Sequence, residues 1–183
     1  MISRIALLFL VFQYSSAFSQ VSDSEMERLK INWRVELRSE AHELALKLPK
    51  AEGKSDFSDS IQRMFMEDTF VVESLLRKQL EKESTTLGIN KANLACASEY
   101  EQLVDKYFTI LSSKMEVEDR DLLGTWQKDW KSMMEKERTL IGKFMQEEYS
   151  GGGSIQSIEY THRLMDQQKH HLLLLINYLT HLI

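Results

Sequence analysis

Cysteine occurs once in this chain, at Cys96, so no disulfide can form within it. The thiol is either a small buried hydrophobe or a free group able to pair between chains. Proline also occurs once, at Pro49, and glycine only seven times in 183 residues. Helix-breaking residues are thus scarce, which suits long helices held by packing alone. No stretch alternates apolar and polar residues for long enough to read as a strand. Internal repeats and low-complexity tracts are lacking as well. Basic residues are the minority, 23 against 28 acids. That balance argues against nucleic acid as a partner, because such binding rests on Lys and Arg neutralising phosphate. It suits a basic partner instead.

What is present begins with an export signal. Arg4 is the only charge ahead of an apolar run over 5–12, too short to span a bilayer. Ala17-Phe18-Ser19 fits the small-x-small cleavage pattern, so residues 1–19 read as a signal peptide. Its removal takes away Arg4 alone, which leaves 22 bases against 28 acids and moves the formal charge from -5 to -6. The expected protein is exported, periplasmic or secreted, with no membrane span after cleavage.

The remainder reads as about five helices. The first covers about 23–48, with Leu29, Trp33, Leu37, Leu44 and Leu48 at helical spacing and Pro49 as its stop. The second starts near Ser58 or Asp59 as caps and carries Ile61, Phe65, Val72, Leu75, Leu76 and Leu80. Residues 84–88 read as a turn. The third helix covers about 90–113, with Leu94, Ala97, Val104, Phe108 and Leu111 in one stripe. The fourth covers about 118–148, with Leu123, Trp126, Trp130, Met133, Leu140, Ile141, Phe144 and Met145 as its apolar side. Gly151, Gly152 and Gly153 break it, and Ser154 caps a fifth. There Ile158, Met165, Leu172, Ile176, Leu179 and Ile183 form the main face. Residues 172–176 are apolar all round, which points to burial on several sides or to a docking patch.

Catalytic and metal-binding patterns are weak. Glu159, His162, Asp166 and His170 share one helix side, and Glu159-x-x-His162 has the form of a bundle metal pair. A di-iron site needs a second such pair, and none exists. A polar flank is the expected reading, without metal or cofactor. The glycine run before Ser154 could present N–H groups to an anion, but it lacks the Lys and the preceding strand of a P-loop. No hydroxyl, His and carboxylate stand at a recognisable spacing. The chain is expected not to be an enzyme.

Four stretches carry a family resemblance. Ala95-Cys96-Ala97-Ser98-Glu99-Tyr100 runs on through Asp105-Lys106-Tyr107. Gln127-x-x-Trp130 follows, then the glycine-serine helix start over 149–154, then the polar stretch 167–171 leading to Leu175 and Leu179. Their order and spacing resemble the lysozyme inhibitor LprI-like family of bacterial envelope proteins over roughly residues 90–183. The family usually follows its Trp with an aromatic-Arg-Asp and then a Cys. Here Met133-Met134-Glu135 and Arg138 stand there, a later family Cys falls near His162, and His171 or Lys169 lies near the family's Arg position. The framework cysteines are thus largely lost.

The resemblance implies an all-α chain with an LprI-like three-helix core over 89–183 and an N-terminal helical extension over 20–88. It implies that Cys96, Tyr100, Tyr107, Gln127 and Trp130 are mainly structural. It implies a partner, a lysozyme or another peptidoglycan-cleaving enzyme, bound without chemistry. The expected contact is an acidic face at Glu147 and Glu148 with Tyr149, Gly151, Gly152, Gly153 and Ser154, set against the basic rim of that enzyme. The alternative is an envelope structural or interaction module with an unrelated ligand.

Overall fold

A computed structural model describes residues 21–50, 53 and 55–181. The signal-peptide expectation and Ile183 lie outside them. Among the described residues the fold is all-α, with six helices and no strand. They are α1 (Asp23–Leu46), α2 (Asp56–Lys82), α3 (Thr86–Lys114), α4 (Val117–Phe144), α5 (Glu147–Ser150) and α6 (Ser154–His181). None is long and apolar enough to cross a membrane.

Hydroxyl caps set the first three starts. Ser22, Ser55 and Thr85 each accept a backbone N–H three residues on, from Glu25, Ser58 and Gly88 at 3.2, 3.2 and 3.1 Å. Two starts therefore differ from the sequence reading. Ser58 lies inside α2, buried, and donates its hydroxyl to the Thr180 carbonyl of α6 at 3.2 Å. The 84–88 stretch is not a turn: α3 begins at Thr86, and Gly88 sits in its first turn because the Glu83 side chain occupies the space a Cβ would need. The end of α1 borrows its cap. The last turn has no basic residue, and Arg63 of α2, paired with Asp59 at 2.8 Å, donates to the carbonyls of Ala45 and, at 2.6 Å, Leu48.

Side-chain pairings fix the helix directions. Arg63 meets Ala45, Glu73 meets Tyr100, and Asp68 meets Tyr107, so α2 runs antiparallel to α1 and α3. Asn90 and Asn93 meet Ser157 and Thr161, so α3 and α6 run parallel. Helix α4 returns between them in sequence, its Gln127 meeting His171 and its Gly142 lying beside Tyr160. The core is built on α3 and α6, from Cys96, Tyr100, Val104, Tyr107 and Leu111 against Met165, Leu172, Leu175, Ile176 and Leu179. Ile61 and Val72 of α2 and Leu123 of α4 complete it. A second cluster, Leu37, Ala41, Val71 and Leu75, joins α1 to α2. Burial of such side chains is the main stabilising term, at about 1.5–3 kcal/mol each.

Helix α4 is attached more thinly than the other long helices. Only Leu123, Gln127, Met134 and Ile141 of its residues are buried. The apolar side expected for it was too wide: Met133, Leu140 and Phe144 face solvent, and Met134 takes the inner position. Leu94 is likewise exposed on α3. The 172–176 run divides, with Leu172, Leu175 and Ile176 buried and Leu173 and Leu174 about half open.

Candidate functional site

The motif residues on α3 follow one face, because spacings of four and seven return a helix to the same side. Cys96, Tyr100 and Tyr107 are all inside. The Tyr100 hydroxyl donates to Glu73 Oε1 at 2.5 Å, and Lys169 of α6 donates to the same oxygen. The Tyr107 hydroxyl donates to Asp68 Oδ2 at 2.7 Å, which Lys106 also reaches at 2.6 Å. Burial, reinforced by these carboxylates, raises both phenols above their ordinary range. They stay protonated and serve as donors. Burial disfavours the Glu73 carboxylate, but the Lys169 and Tyr100 bonds outweigh it and hold the group below its usual range. Burial also pushes the Cys96 thiol up to about 12. A thiol so placed is neutral near pH 7 and is a poor nucleophile.

Gln127 and Trp130 of α4 meet His171 of α6. The imidazole is 1% exposed and lies between two indoles. Its centroid is 3.6 Å from Trp130, with planes at 9°, and 4.6 Å from Trp126, at 24°. Its Nε2–H donates to Gln127 Oε1 at 2.7 Å. Burial, with a smaller effect of Lys131, lowers its pKa to about 4. His171 Nδ1, Gln127 Nε2 and Gln168 Oε1 are buried without a partner.

The 147–154 segment is the opposite case. Glu147, Glu148 and Tyr149 lie on α5 and are exposed. Phe144, at the end of α4, meets the Tyr149 ring edge-to-face at 6.0 Å and 89°. Both rings are more than half open to solvent. Gly151, Gly152 and Gly153 have φ of 75°, 74° and 108°, a run that only glycine adopts without strain. The Gly151 N–H closes α5 onto the Glu147 carbonyl at 2.9 Å, and the Gly152 N–H donates to Ser150 Oγ at 3.2 Å. The turn is therefore braced, and it holds an aromatic pair and two carboxylates outward. Ser154 is the first residue of α6. Leu140 and Met133 extend the apolar surface back along α4 from Phe144. Phe144 was placed in the core by sequence; the spacing 133, 140, 144 was the available signal for a second, outward stripe.

The polar flank of α6 is made of exposed side-chain pairs, His162 with Asp166 at 3.2 Å and the Arg163–Glu159 ion pair at 3.0 Å. Among the described residues no group of three His, Cys, Asp or Glu is placed to hold a metal ion. The expected site residues thus fall into two sets. Cys96, Tyr100, Tyr107 and Gln127 are interior, with Trp130 partly buried beside them; Glu147, Glu148, Tyr149, the glycines and Ser154 form an outer surface. Comparison with protein-family models, curated proteins and solved structures finds no match.

Proposed function

We propose that this chain is an exported, non-catalytic binding protein that inhibits a lysozyme or other peptidoglycan-cleaving enzyme by occluding its cleft. The reading draws on the LprI-like resemblance of residues 90–183. The observation that carries it is the outward Phe144–Tyr149 pair beside Glu147 and Glu148, ahead of a three-glycine turn closed by bonds to Glu147 and Ser150. Exposed aromatic side chains such as Tyr149 are the residue type enriched in binding hot spots. Carboxylates around them attract a basic rim and speed association. The burial of Cys96, Tyr100, Tyr107 and Gln127 supports a mainly structural role for them. The mature chain, residues 20–183, should inhibit at least one class of muramidase at micromolar excess. Full enzyme activity across a panel of lysozyme classes would overturn the proposal.

A second reading has its own support. An apolar groove of about 560 Å3 opens between Leu111, Met115, Leu122, Trp126 and Tyr178. It suits an envelope module that holds an unrelated ligand. Recovery of a muramidase as the main partner from an envelope extract would count against that reading.

A further inference from the structure

The attachment of α4 carries an inference independent of any partner. We propose that His171 is a pH-operated latch: its protonation frees α4 from α6 while α1, α2, α3 and α6 remain packed.

The geometry supports this in three ways. First, the imidazole is held as a neutral ring. Its one polar bond goes to Gln127, and its Nδ1 has no partner, so a second proton would add a buried N–H with nothing to accept it. Second, no carboxylate is placed to compensate. The charged group bearing on the ring is Lys131 of α4, a cation, whose ammonium pairs with Asp105 of α3 at 3.1 Å. On α6 itself, the neighbouring Lys169 reaches away to Glu73 of α2. The indole faces of Trp126 and Trp130 attract a cation. They supply neither the lost hydration nor an acceptor. The depressed pKa of about 4 agrees with that balance. Third, little else holds α4. Beyond the clamp it has three buried apolar residues, Leu123, Met134 and Ile141, the Trp126–Tyr178 edge-to-face contact at 5.9 Å, and an exposed Lys131–Asp105 pair. Open clefts flank the clamp, the groove at Leu122 and Tyr178 and another of about 390 Å3 between Leu94, Arg138, Tyr160 and Gln168. A helix so held opens locally at lower cost than the core around it.

Amide hydrogen exchange on the full chain, corrected for intrinsic rates, tests the latch. Between about pH 7 and about pH 4, peptides from 122–141 should lose protection by roughly 100-fold relative to those from 95–111 and 164–179. His171→Phe keeps a stacked ring but no titration, and should abolish that difference. Should this variant fail to fold, an NMR titration of the wild-type imidazoles decides. His171 should titrate well below an ordinary histidine, and α4 protection should fall progressively from the ordinary imidazole range down to that lower midpoint. Loss of α3 and α6 protection together with α4, an unchanged pH response in His171→Phe, or an ordinary His171 titration would each overturn the proposal.

Discussion

The bond between Tyr100 and Glu73 ties α2 to α3, and its energy is open to a double-mutant cycle. The perturbations are Tyr100→Phe, Glu73→Ala and their combination. Tyr100 is 1% exposed, so removing its hydroxyl leaves the ring packed and deletes one hydrogen bond. A bond to a charged group contributes about 1.5–3 kcal/mol. The Glu73 side chain is 42% exposed and keeps Lys169, which lowers the expectation. We expect Tyr100→Phe to cost about 1–2 kcal/mol and the pair to couple by about 1 kcal/mol. The pH dependence has a definite sign. The Glu73 carboxyl is held below its ordinary range, so its contribution is present above that range and is lost as pH falls through the folded value. Glu73→Gln should flatten that part of the acid limb. Urea unfolding followed by circular dichroism gives each corner of the cycle. Coupling below about 0.3 kcal/mol would refute the view that this bond holds α2 to the core.

Other outcomes follow from the same packing. Leu172→Ala should cost about 2–5 kcal/mol in urea unfolding, while Leu173→Ala, one position on but half open, should stay within about 0.5 kcal/mol. Gly88→Ala should destabilise by about 1–3 kcal/mol despite the higher helix propensity of alanine, because the new Cβ would lie 2.5 Å from Glu83 Cγ and 2.8 Å from the Glu83 carbonyl oxygen; a more stable variant by thermal melt would contradict this. Cys96 should resist a thiol reagent at about pH 8 in the native state and react in denaturant, since burial holds it neutral and covered; rapid native labelling, read by mass spectrometry, would contradict it.

The helical class was legible because stripes such as Val104 and Leu111, or Leu172, Ile176 and Leu179, repeat at helical spacing with few breakers. Starts were less so. Residues 84–88, with Gly88 among them, read as a turn, and only the seat of Glu83 against Gly88 shows why a glycine stands in the first turn of a helix. On α4, Met133 and Met134 are chemically alike and adjacent. Which one faces inward depends on where α6 lies, which periodicity on α4 does not contain. The same holds for His171. Its neighbours Trp126, Gln127 and Trp130 lie more than 40 positions away, so the clamp exists only after the two helices meet. The outer set of Glu147, Glu148, Tyr149 and the glycines could be named from composition, but Phe144 could not, since an apolar residue at helical spacing defaults to the core.

Direct titration of residues 20–183 into a purified muramidase tests binding through the 144–154 surface. Saturable binding and inhibition are expected, with Tyr149→Ala and Phe144→Ala each weakening the complex about tenfold or more while the fold remains intact. Absence of heat and of inhibition across lysozyme classes, or a wild-type dissociation constant retained by both variants, would contradict it.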